Sequence, residues 1–221
     1  MSVRTVVQHG PKEKKVAVFA IDWPGWSRGA KTPDAGVELL ETYRARYRPI
    51  ARLAGLEAEF DAAGPLEVVE DHVGVGSTDF WAISFAASSF EQGPMPEDEL
   101  ERKLALLQAA WRFFDDVAAR VSPKMQKGPR GGGRERDEIV AHVFRNEQGD
   151  FARRVGVVAS PEVILTPDGL ARHREQYLTA IRDHNAPGAK AGRSWTIPFL
   201  VRHTAYHVLD HAWEMEDKDL S

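Results

Sequence analysis

The chain has 221 residues and a formal charge of −4, from 29 Lys and Arg against 33 Asp and Glu. That length suits one large domain or two small ones, and the absence of a basic surplus argues against nucleic acid as a partner. There is no cysteine, so disulfides, thiolate metal sites and cysteine nucleophiles are excluded, and any metal must be held by His, Asp or Glu.

No run approaches the roughly 20 apolar residues of a membrane helix. The opening "MSVRTVVQHGPKEKK" reads as a polar leader without the apolar core of a signal peptide. A cytoplasmic protein acting on a small molecule, with no membrane partner, is expected.

After the leader, "KVAVFAIDWPGW" is a short apolar run closed by Pro24 and Gly25, as a buried strand ending in a tight turn would be. Next, "KTPDAGVELLETYRARY" offers Thr32 as N-cap and Pro33 at the first helical position, with Val37, Leu40, Tyr43 and Tyr47 at helical spacing. The spacing predicts one helix of about five turns ending before Gly55. "LEVVEDHV" and "DFWAISFAAS", separated by Gly74 and Gly76, read as two further strands. Residues 1–92 are thus expected to form a small strand-and-helix unit. Its Trp23, Trp26 and Trp81 are candidates for core or for a cover over a neighbouring site.

From residue 93 to 221 the apolar period becomes helical. "PEDELERKLALLQAAWRFFDDVAARV" starts with acids and repeats Leu100, Leu104, Leu107, Trp111 and Phe114 on one face. "SPKMQKGPRGGGR" reads as a loop. "ERDEIVAHVFRNEQGDFARRV", "PDGLARHREQYLTAIRDH" and "PFLVRHTAYHVLDHAWEMEDK" give three more helices. The expected class is therefore α+β, a small α/β unit followed by a four-helix bundle.

The last helix carries His203, His207 and His211 at steps of four. Residues four apart share a helix face and can grip one ion, whereas eight residues span about 12 Å of rise. A helical wheel puts His211 at the edge of the apolar side, His207 one step round, and His203 on the polar flank with Asp210 and Glu214. It favours His207 and His211 as the gripping pair. His203, Asp210 and Glu214 are then expected as outer residues that orient the rings.

A bundle-core site draws ligands from facing helices. His142 is flanked by Ile139, Val140, Val143 and Phe144, whereas His173 and His184 stand among charged residues and are expected in solvent. Glu147 falls within the apolar face near His142, where a carboxylate needs a reason to be buried. It is a candidate ligand, histidine partner or general base with a raised pKa, or else one half of a salt bridge to Arg172 or Arg174.

With His142 on the second helix and "HVLDH" on the last, residues 94–216 resemble the DinB/YfiT-like family. The resemblance implies an up-down-down-up bundle holding a divalent metal through His142, His207 and His211. Zinc or nickel suits such a nitrogen set. It also implies a metal-dependent enzyme, either a transferase or isomerase using a low-molecular-weight thiol or a hydrolase with Glu147 as base, and it is compatible with a homodimer. The region before the bundle is a departure from that family; "AIDWPGW" followed by "TPDAGVELLETY" resembles the small HicB-like fold. The competing reading is a non-catalytic binding or scaffold protein whose histidines are structural.

Overall fold

The computed structural model describes residues 1–129, 132–187 and 195–221, so the glycine-rich loop expected over 122–134 lies partly outside the described residues. The chain is mixed α and β. Strands β1 (Val3–His9), β2 (Val16–Ala20) and β3 (Ser27–Ala30) are followed by helices α1 (Pro33–Thr42), α2 (Arg44–Leu53) and α3 (Glu57–Asp61), then by β4 (Leu66–Val73) and α4 (Gly76–Trp81). The sheet order is β3-β2-β1-β4, with β1 antiparallel to β2 and parallel to β4.

Several expectations for this half are corrected. The polar leader is in fact β1, whose β-branched residues Val3, Thr5, Val6 and Val7 carry a strand signal. Every residue of β2 is buried because both faces of the sheet are covered. Val16, Val18 and Ala20 join the main core, while Val6, Phe19 and Ile21 form a small cluster on the opposite side.

The single long helix is broken in two at Tyr43. There the indole of Trp26 donates to the Leu40 carbonyl (2.9 Å), and the Tyr43 N–H also turns to it (3.0 Å), so the chain tightens. Pro49, inside α2, removes a further helical hydrogen bond. Thr32 caps α1 as expected.

The expected strand "DFWAISFAAS" is also absent. Its first residues form α4, held down by Asp79, which accepts from the N–H groups of Lys12 and Lys14 (2.9 Å each). Ala82 then closes the helix in the left-handed region at φ 57°. Trp23 and Trp26 are core residues, whereas Trp81 is exposed beside Phe80.

The second half contains α5 (Glu97–Arg120), α6 (Arg136–Asn146), α7 (Pro161–Ile164), α8 (Pro167–His184) and α9 (Ile197–Lys218). The helix expected over 135–155 stops at Asn146. It continues as a π turn over Glu147–Phe151 and a 3-10 turn over Ala152–Val155, ended by Gly156 at φ 80°.

Side-chain pairs fix the directions. Glu101 with Arg182 (2.6 Å) and Asp115 with Arg174 (2.8 Å) set α8 antiparallel to α5. Arg136 reaching the Val121 carbonyl (3.3 Å) and Phe144 packed on Phe114 (6.2 Å) set α6 antiparallel to α5 as well. Arg120 meets Glu216 at the far ends of α5 and α9, which run side by side in the same sense.

One cluster of buried apolar residues runs from Val3 to Met215, so the change in composition near residue 92 does not divide the core. Across that junction, buried Arg202 of α9 pairs with buried Glu91 (2.6 Å) while lying over Phe19 of β2 (3.7 Å). Arg28 of β3 reaches Asp210 of α9 (2.7 Å). Among the described residues, no helix is long and apolar enough to cross a membrane.

Candidate metal centre

Because α6 and α9 pack against each other, the two halves of the histidine pattern meet in space. One ring nitrogen from each of His142, His207 and His211 lies within 4.8 Å of the other two. His142 Nε2 and His207 Nε2 are 3.3 Å apart. Zn–N bonds of about 2.0 Å at tetrahedral angles give an N–N edge of about 3.3 Å, so this pair already has the required spacing.

Each ring is held differently. His211 Nδ1 lies 2.7 Å from Glu214, which also accepts from Lys218 (2.5 Å). A His211 that donates Nδ1–H to this carboxylate would offer Nε2 to an ion, which is the usual orienting arrangement for a metal-binding histidine. Glu214 thus contacts His211, one of the rings it was expected to orient. His142 is flanked by Asn146, whose amide donates to the His142 carbonyl (2.8 Å) and sits 3.2 Å from Nδ1. His207 has its Nδ1 buried without a hydrogen-bond partner among the described residues, and Phe151 packs edge-on against its ring at 5.4 Å.

These surroundings keep His142 and His207 neutral, the form that binds metal. Burial, followed by the nearby His211 and the Arg134 guanidinium, lowers His142 to about 4. Burial and the neighbouring His211 and His142 rings lower His207 to about 2. The hydrogen bond from His211, helped by Lys218, holds Glu214 at about 2. Three uncharged nitrogen donors with no thiolate or carboxylate suit a borderline ion such as zinc or nickel and are poor for magnesium or calcium.

The other expected site residues are placed elsewhere. His203 is not on a polar flank. It is 6 % exposed and enclosed by Phe85, Phe151, Trp195 and Phe199, with ring centroids 5.0–5.8 Å away. The helical wheel assumed one solvent face, but α9 is buried all round from Ile197 to Tyr206. Asp210 does not orient a histidine; its carboxylate is taken by Arg28, which lies over Tyr43 at 3.6 Å.

Glu147 is fully buried, but it faces Arg174 rather than the histidines. Its oxygens accept from Arg174 Nε (3.0 Å) and Nη2 (3.4 Å). Burial pushes the Glu147 carboxyl up and the adjoining guanidinium pulls it back. The salt-bridge alternative thus describes its contacts, and the general-base role does not. His173, expected in solvent, is 2 % exposed beside the Glu147 backbone, because the 3-10 turn and α7 pack against α8. His184 is half-buried, with Nδ1 2.7 Å from the Ala180 carbonyl.

Two neighbours escaped the sequence reading. Asn146 was legible, since it follows His142 by four residues on the same face. Phe151 was not, because an α-helical period gives the wrong phase across a π turn. Comparison with family models, with curated proteins and with solved structures finds no match to this chain.

Proposed function

We propose that this protein is a metal-dependent enzyme of the DinB-like type, in which His142, His207 and His211 hold one divalent transition metal, zinc or nickel. The observation that carries the reading is the convergence of three ring nitrogens from two helices 65 positions apart, with the 3.3 Å pair at a coordination edge. The helix directions support it. With α5 up, α6 and α8 run down and α9 runs up, as in the bundle that the resemblance implies.

Held by His142, His207 and His211, an ion would keep open positions and supply Lewis-acid chemistry there. The chain's own groups do the rest: Glu214 holds the His211 proton at Nδ1, Asn146 steadies His142, and Phe151 shields one side of His207. Of the two chemistries implied, the thiol-dependent transferase or isomerase is the one we retain. The hydrolase reading needs a free base, and Glu147 is committed to Arg174.

Metal analysis of untagged protein tests the reading. About one equivalent per chain is expected after reconstitution with zinc or nickel. A mere trace of metal, or full binding after removal of any one of the three histidines, sinks it.

A further inference from the structure

Arginines of this chain mostly share one habit. In Arg44, Arg48, Arg182 and Arg202 the parallel N–H groups at Nε and Nη2 grip the two oxygens of a single carboxylate. Arg28 of β3 departs from it. Arg28 gives Asp210 only Nη1, at 2.7 Å, while its buried Nε and Nη2 have no hydrogen-bond partner among the described residues. The side chain is 10 % exposed and lies over Tyr43 and Trp213, with Cζ 3.6 and 4.5 Å from the ring centroids. Trp213 is buried as well, and its indole Nε1 likewise lacks an acceptor among the described residues.

Arg28 and Trp213 line one cavity of about 420 Å³, together with Tyr43, Asp210, Glu214, Asp217 and Lys218. That volume falls within the range of small-ligand sites, roughly 300–1,000 Å³. The acids of the cavity are already matched by cations or donors: Asp210 by Arg28 Nη1, Glu214 by His211 and Lys218, and Asp217 by Arg46 at 2.9 Å. What is left over is three buried donor nitrogens on two side chains. A buried donor without an acceptor costs free energy, which a ligand carrying the acceptor restores. Two of the three form the Nε and Nη2 fork, whose spacing matches a pair of oxygens on one carbon or phosphorus.

We infer that this cavity binds a small molecule through an oxyanion group, a carboxylate or a phosphoryl group, received by Nε and Nη2 of Arg28. Trp213 Nε1 supplies a further donor and Lys218 a second cation. The site is independent of the metal reading above.

The full chain, labelled with 15N and without added metal, is titrated at constant ionic strength with acetate, inorganic phosphate and uncharged acetamide. The Arg28 Nε–H and Trp213 Nε1–H signals, identified by their loss in Arg28→Lys and Trp213→Phe, are expected to shift and saturate with acetate or phosphate and not with acetamide. The anion that binds more tightly identifies the group as carboxylate or phosphoryl. Arg28→Lys keeps the charge but loses the fork, and should weaken binding read at Trp213 about tenfold. Trp213→Phe removes one N–H with little change of volume, and should weaken binding read at Arg28 about threefold; it carries the test alone if the lysine variant does not fold. Shifts that grow without saturating, a response to acetamide as strong as to acetate, or affinities equal to wild type in both variants overturn the assignment.

Discussion

The buried pair Glu91–Arg202 offers the sharpest test of how the two halves of the chain are joined. Its side chains are 2 % and 4 % exposed, and Arg202 donates to Glu91 at 2.6 and 3.1 Å and to Ser84 at 3.1 Å. Glu91→Met removes one charge and leaves the guanidinium in a dry site, which costs about 3–5 kcal/mol. Against a total stability of about 5–15 kcal/mol that is a large fraction. The double variant Glu91→Met with Arg202→Met removes both charges. It keeps apolar contact with Phe19 and Phe199 and should recover most of the loss.

The same pair is linked to pH. Burial alone would raise the Glu91 carboxyl, but Arg202 and the N–H and hydroxyl of Ser88 outweigh it and hold it below the usual carboxylate range. A depressed folded-state pKa means that this stabilisation is present above the unfolded-state value and is lost as pH falls through the folded one. Urea unfolding followed by circular dichroism reads all three proteins. A loss under about 1 kcal/mol in the single variant, or a double variant no better than the single, would refute the reasoning.

Other variants probe the site. His142→Ala, His207→Ala and His211→Ala should each abolish stoichiometric zinc binding by calorimetry, whereas His203→Phe, inside its aromatic enclosure, should retain it; equal loss in all four would place His203 among the ligands. Glu214→Gln should weaken zinc binding about 10- to 100-fold by releasing the His211 ring, and unchanged affinity would remove it from that role. Glu147→Gln should lower the unfolding midpoint because Arg174 loses a charged partner, yet leave zinc binding intact; lost binding would restore Glu147 to the site. Burial holds His203 at about 3, so the unfolded chain takes up a proton there first as pH drops below about 6.5. Stability should then decline by up to about 1.4 kcal/mol per pH unit through that window, and His203→Phe should flatten the slope; parallel profiles would contradict the neutral, buried assignment.

The sequence by itself determined the α+β composition and the long helices, because an apolar stripe at helical spacing must be buried along one side. It also singled out His142, His207 and His211. Four-residue spacing alone allows only adjacent members of the series 203, 207, 211 to share an ion. It named Glu214 among the outer residues that could orient the rings, and Glu214 stands three positions from His211.

Tertiary packing decided the rest. His203 and Asp210 looked like outer residues because a wheel assigns one face to solvent, but Trp195 and residues 84–91 cover that face of α9, and Arg28 comes from the sheet to claim Asp210. Glu147 had several readings until α8 brought Arg174 to it from 27 residues away. A buried carboxylate is charged or neutral, structural or chemical, according to the partner the fold delivers, and that partner is not encoded within its own helix.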